Sequence, residues 1–270
     1  MIVTGSYGRD GVEYTVNELL QTGIIESIQL PIKTEFRNVL ISKCTVINSK
    51  MNDPIFKSCL IEDSIFEKTD FSGSRFFEGN KIVGCKFSQV DFRTTGFGQK
   101  GAEFINCTFE KCDFRETSFE TLSMINCKLS NCKINDKIIV AEQFIKCIVT
   151  GTLKDVKFIG QRSNAGLEVD LSQCKLRYVD FENCSLENTI PPKYSDHYYI
   201  TNLREKCIEA TKKLNAVNDL SLRKVLDRRL KRFFNLEYYI FNTKDLIETE
   251  GLNFCKTFFE ILGVDVNLEI

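Results

Sequence analysis

Ten of the chain's twelve cysteines stand two residues ahead of a large apolar residue, and the pair recurs in steps of five. The series runs from Cys44–Val46 and Cys59–Ile61, through Cys107–Phe109, Cys112–Phe114, Cys127–Leu129 and Cys132–Ile134, to Cys174–Leu176 and Cys184–Leu186. A period of five fits neither the 3.6 of an α-helix nor the 2 of a strand. A fixed internal period governs the whole architecture, so it is read first.

The large apolar residue marks the centre of each five-residue unit. Centres fall at Phe36, Ile41, Val46, Met51, Phe56, Ile61, Phe66, Phe71 and Phe76, then slip by one residue to Ile82, Phe87, Phe92 and Phe97. A glycine-bearing segment, 96–101, shifts them again to Phe104, Phe109, Phe114, Phe119 and Met124, and on through Leu129, Ile134, Ile139, Phe144 and Val149. The pattern loosens near Leu153 and Phe158, is interrupted by an insertion at 160–170, and closes with Leu171, Leu176, Phe181 and Leu186. Of the sixteen phenylalanines from Phe36 to Phe181, only Phe77 misses a centre. Two residues upstream of the centres sit small side chains: the ten cysteines, with Ser49, Ser64, Thr69, Ser74, Thr95, Ala102 and Thr117. One large and one small inward position per five, with three polar outward ones, describe a tube wound from short segments. A single strand would bury every second residue, and a helix a broader stripe.

Segments such as Cys112-Asp113-Phe114-Arg115-Glu116, Thr69-Asp70-Phe71-Ser72-Gly73 and Val90-Asp91-Phe92-Arg93-Thr94 resemble the pentapeptide repeat family over roughly residues 36–190. The resemblance implies a mainly β fold: a right-handed, four-sided β-helix solenoid of seven to eight coils, with twenty residues per coil. Phe104 should then lie over Met124 and Phe144, and Phe109 over Leu129 and Val149, at about 4.8 Å per coil. The family favours Ala in the small slot, where this chain favours Cys. A free Cys is a small, well-buried hydrophobe and suits the slot.

The flanks differ. Val12, Tyr14 and Val16 alternate and a short helix is expected near residues 17–21, so residues 1–30 read as an N-terminal cap, since open solenoid ends need cover. The repeat occupies 31–190, and Pro191-Pro192 marks its end. Beyond it Leu203, Cys207, Ala210, Leu214 and Val217 form one helical stripe and Leu222, Leu226, Leu230 and Phe233 another. One or two more helices between Asp245 and Leu262 complete a small α-helical C-terminal domain, 191–270.

Composition removes several function classes. Charge is nearly balanced, 36 Lys and Arg against 37 Asp and Glu. No apolar run reaches the ~18–20 residues of a membrane span, and Met1–Gly23 lacks the form of a secretory signal. The expected compartment is therefore the cytoplasm, with reduced thiols. A five-residue gap is not the spacing of a zinc ribbon, so neither metal nor cofactor is expected, and the cysteines read as free and buried. His197 is the only imidazole. No nucleophile–base pair or phosphate cradle is legible, and the expectation is a protein that is not an enzyme.

Two features remain for recognition. Lys224, Arg228, Lys231 and Arg232 fall at i, i+4, i+7 and i+8 on the second C-terminal helix, a stripe suited to nucleic acid or an acidic protein surface. Gln161, Arg162 and Asn164 lie in the insertion, and loops on rigid scaffolds are common binding elements. The leading expectation is a non-enzymatic scaffold for protein–protein interaction. The family resemblance implies an alternative, a DNA mimic that binds a topoisomerase such as gyrase and protects it from quinolones or toxins. Residues 31–190 carry 22 Lys and Arg against 21 Asp and Glu, a net of +1, where a mimic should be acidic. A third expectation is a recognition subunit of a toxin–antitoxin or phage-defence complex. A protein partner leads, nucleic acid could be touched by the basic helix, no membrane is expected, and a homodimer is left open.

Overall fold

The computed structural model describes residues 4–8, 11–15, 20–97, 102–119, 121–162 and 165–268, with side chains from residue 23 onward. The five-residue period arises from a backbone cycle of extended residues and one left-handed corner. Short strands such as Ile55–Lys57, Leu60–Glu62 and Ile65–Glu67 bury the central residue and turn its neighbours outward. The corner residue two places past the centre then takes a positive φ: Asn38 at 55°, Lys43 at 53°, Ser58 at 52°, Asp63 at 47° and Lys68 at 46°. Asn and Gly reach that region most easily, and other residues do so at a local cost. Four such corners close a coil.

Stacked coils form four parallel ladders, here called faces one to four in chain order. Face one stacks Phe36, Phe56, Phe76 and Phe97. Face two stacks Ile41, Ile61, Ile82, Phe104, Met124 and Phe144. Face three stacks Val46, Phe66, Phe87, Phe109, Leu129 and Val149. Face four pairs Lys50, Asp70, Asp91, Asp113 and Lys133, each one residue ahead of a buried centre. The solenoid has about eight turns. Both expected stacks, Phe104–Met124–Phe144 and Phe109–Leu129–Val149, are present. Interior rings lie nearly parallel at coil spacing, with centroids 4.9 Å apart for Phe36 and Phe56 and 5.0 Å for Phe92 and Phe114.

The cysteine slot does more than fill space. All twelve cysteines are free and buried. Cys59 donates its S–H to the Phe36 carbonyl at 3.2 Å, Cys107 to Ile82 at 3.4 Å, Cys112 to Phe87 at 3.5 Å and Cys127 to Phe104 at 3.4 Å. Thr95 does the same to Phe71 at 3.1 Å. Each acceptor is the centre residue of the preceding coil, a buried carbonyl that alanine would leave without this donor. Burial pushes the Cys174 and Cys184 thiols up to about 12, which keeps them protonated as donors.

Two expectations about the flanks change. Leu20 and Gln21 belong to a strand, Leu20–Glu26, and not to a short helix; Asn17 lies outside the described residues. That strand pairs in parallel with Leu40–Ile47, setting Gly23 beside Cys44 and Ile25 beside Val46. The solenoid therefore begins near Leu20, eleven residues before residue 31. Ile25 and the buried Leu30 already keep the five-residue step, and ladder hydrogen bonding overrides any local helical preference. Thr4–Gly8 and Gly11–Thr15 form an antiparallel hairpin ahead of it.

The C-terminal domain contains α1 (Leu203–Lys213), α2 (Leu220–Arg232), α3 (Thr243–Glu250) and α4 (Leu252–Leu262). It is not purely helical. His197–Ile200 and Tyr239–Asn242 make a two-stranded antiparallel sheet that joins the helices to the last coil. Leu203, Cys207, Ala210 and Leu214 are buried as their stripe requires, as are Leu226, Leu230 and Phe233. No helix among the described residues is long and apolar enough to cross a membrane.

Candidate interaction surfaces

The last coil presents an open β-edge, and side chains of the C-terminal domain close it. His197 Nε2 accepts the Leu176 N–H at 3.0 Å, while Asn242 Nδ2 donates to the Leu176 carbonyl at 2.6 Å. Asp245 accepts the Tyr178 N–H at 2.6 Å. The His197 ring is held by Asp196, whose Oδ1 lies 2.7 Å from Nδ1; with Nε2 accepting, Nδ1 carries the proton. Burial works to raise the Asp196 carboxyl, but the His197 hydrogen bond and nearby charge outweigh it and leave it below the ordinary range. The lone imidazole is thus a backbone cap. It has no cysteine partner in this network.

Ion pairs reinforce the junction. Arg177 reaches Asp245 at 2.6 Å and Glu248 at 3.0 Å, and Arg232 of α2 reaches Asp180 of the last coil at 2.6 Å. Tyr239 donates to the same Asp180 at 2.9 Å; burial raises its hydroxyl, and the Asp180 charge adds to the shift. A half-open cavity of about 290 Å³ lies beside these groups, lined among others by Leu176, Val179, Asp180, Arg229, Arg232 and Phe233. Its charged rim is already paired, Arg232 with Asp180 across the junction and Arg229 with Glu250 within the cap.

These contacts divide the expected basic stripe. Lys224 and Arg228 are exposed and have no ion-pair partner among the described residues. Lys231 pairs with Asp227 at 2.6 Å, and Arg232 turns back to the solenoid. In the insertion, Gln161 and Arg162 expose their side chains while their backbone N–H groups are held by Glu142 at 3.1 and 3.2 Å. Asn164 lies outside the described residues. Among the described residues the loop and the stripe share no hydrogen bond or ion pair. Among the described residues no group of three or more His, Cys, Asp or Glu could hold a metal ion.

The outer faces differ from one another in a way the spacing alone does not show. On face four Arg93 grips Asp91 at 2.6 Å and Arg115 grips Asp113 at 2.7 Å, with Lys133 3.3 Å from Asp113. Partial burial works to raise Asp113, but hydrogen bonds from Arg115 and Lys133 prevail and hold it at about 2. Face two carries instead an outward column of Val83, Ile105, Ile125 and Ile145 in consecutive ladder register. Around it stand Lys43, Asp63, Lys81, Glu103, Lys146 and Glu168, none ion-paired among the described residues. No sequence signal for this column was visible until the register was known.

Together these elements make a β-solenoid with an α/β end cap. Residues 100–136 and 168–190 match the family model for pentapeptide repeats, in eight copies. The solenoid thus carries pentapeptide repeats. No curated protein matches it. Among solved structures it is similar to trypsin-treated QnrB1, a plasmid-mediated fluoroquinolone resistance protein, at 17% identity and a TM-score of 0.51, over 64% of this chain and 85% of that one. HetL, a pentapeptide repeat protein involved in heterocyst differentiation regulation from the cyanobacterium Nostoc sp. strain PCC 7120, is 11% identical over 63% of this chain and 87% of its own, with a TM-score of 0.32. The likeness to QnrB1 shows a shared fold.

Proposed function

We propose that this protein is a non-enzymatic cytoplasmic scaffold that recognises another macromolecule, most directly a protein, through the outer faces of its coils. One observation carries the reading: the C-terminal domain spends much of its polar equipment on the last coil, while outward coil residues stand unpaired at fixed spacing on a rigid sheet. Lys86 and Lys128 of face three illustrate this, aligned through Thr108 in one ladder column with no ion-pair partner among the described residues. The groups with catalytic chemistry are occupied, with thiols donating to carbonyls and His197 capping a strand edge.

Affinity capture from native lysate, followed by mass spectrometry, tests this with three baits. A partner held by the wild type should survive Lys224→Glu with Arg228→Glu and be lost on Lys86→Glu with Lys128→Glu. The reverse outcome would move recognition to the basic helix and favour a defence or toxin-complex subunit.

A second reading, a topoisomerase-protecting DNA mimic, is supported by the fold shared with QnrB1 and by the Asp70–Asp91–Asp113 column. Arg93 and Arg115 neutralise two of those three carboxylates, which weakens the resemblance to a phosphate backbone. A gyrase supercoiling assay decides it: no effect on supercoiling or on quinolone-stabilised cleavage removes this reading.

A further inference from the structure

We infer that face three, between Gly84 and Gly151, holds the phosphate backbone of a nucleic-acid duplex without reading its bases. The inference rests on the proposal that the coil faces recognise macromolecules, and it names the ligand of one face. Four successive sides of the solenoid build the surface, residues 84–89, 106–111, 126–131 and 146–151. They carry four lysines, Lys86, Lys111, Lys128 and Lys146, against one acid, Glu110, a net of +3. The repeat region as a whole is nearly neutral, so the positive charge is concentrated here.

The ladder turns these charges the same way. Lys86, Thr108 and Lys128 are partners in one outward column, and Ser88, Glu110 and Ser130 form the next. Asn106, Asn126 and Lys146 line the corner before the strands, and Gln89, Lys111 and Asn131 the corner after them. All four lysines are exposed. Lys86, Lys128 and Lys146 have no ion-pair partner among the described residues, and Lys111 lies 4.0 Å from Glu110. Three coil steps of about 4.8 Å give the surface a length of about 14 Å. That length spans about four phosphates of one duplex strand, at about 3.4 Å of helix axis each.

The kind of side chain selects the ligand. Phosphate backbones are held by Lys together with Ser, Thr, Asn and Gln, and these types make up nearly all of the surface. Direct protein interfaces centre on aromatic, Met and Arg anchors; here the one outward apolar residue is Ile148. Single strands are gripped by stacking bases on aromatic rings, and the rings of Phe87 and Phe109 point inward. A flat sheet of four strands is too broad for the major groove, which admits a helix or a two-stranded ribbon, so contact stops at the backbone. A protein captured through Lys86 and Lys128 is then one that arrives on nucleic acid.

Fluorescence anisotropy of the purified full-length chain with short labelled DNA and RNA duplexes of unrelated sequence tests this. All should bind alike, with a Kd of about 1–100 micromolar near physiological salt. Affinity should fall with salt on a log–log slope of about −3, the value for roughly three neutralised phosphates. Neighbours in the same columns supply replacements that the fold already accepts. Lys86→Thr and Lys128→Thr copy Thr108, Lys111→Gln copies Gln89, and Lys146→Asn copies Asn126. The fourfold variant, checked for folding by circular dichroism, should bind at least about tenfold more weakly with a slope near zero. Lys224→Glu with Arg228→Glu on the cap should leave duplex binding unchanged, and nuclease should release any protein captured from lysate through Lys86 and Lys128. No duplex binding at low salt, binding that survives the fourfold variant, or tighter binding of a single strand would overturn the inference. Nuclease-resistant capture beside absent duplex binding would overturn it alone and leave protein recognition by the coil faces standing.

Discussion

Faces two and four rest on the same interior and are cut from the same five-residue repeat, yet they use their outward positions in opposite ways. Face four binds two of its acids with arginines two residues further along the chain, Asp91 with Arg93 and Asp113 with Arg115. Face two leaves its charges unmatched around an apolar column. A repeat fixes where side chains point, and the choice of residue at the outward positions decides whether a face is closed or open to others. Interior packing and outward chemistry are therefore separable in this molecule.

The largest effects should come from the interior that the two faces share. Phe114→Ala beneath face four and Phe104→Ala beneath face two should each cost about 3–5 kcal/mol in chemical unfolding, because both rings are fully enclosed. A large inequality between them would break the premise that the faces differ only outside. Next comes the slot. Cys112→Ala removes the donor to the Phe87 carbonyl and should cost about 1 kcal/mol, with Cys112→Ser recovering part of it.

The smallest effect separates the faces themselves. Asp113→Asn should lower stability at neutral pH by a few tenths to about 1 kcal/mol, the range of a solvent-screened pair. Since the folded carboxyl is held at about 2, below its ordinary value, its contribution is present above about pH 4 and fades between about pH 4 and pH 2. Wild-type and Asp113→Asn unfolding curves should converge over that window. Glu103→Gln on face two should leave the unfolding midpoint unchanged at neutral pH.

Much of this architecture is written in the sequence, because a Phe or Cys every five residues leaves few ways to bury both. The sides centred on Ile25 and Leu30 are hidden in the sequence by their lack of Phe and Cys, and the buried Leu167 by its place inside the insertion. The donor role of the cysteines depends on where the preceding coil's carbonyls point. The fate of the basic stripe was equally out of reach, since Arg232 and Asp180 lie 52 residues apart and meet only when the cap docks. Lys224 and Arg228 lie on an exposed helical face, and their use by a partner is left to the capture experiment. The apolar column of face two emerges only once Val83 is aligned with Ile105 across a gap of 22 residues, where the basic coil holds twenty.

Chemical unfolding of Asp113→Asn and Glu103→Gln beside the wild type at neutral pH tests the contrast between faces most directly. The contrast predicts a measurable loss of stability for Asp113→Asn and none for Glu103→Gln. Equal losses for the two variants, or a loss for Glu103→Gln alone, would contradict it.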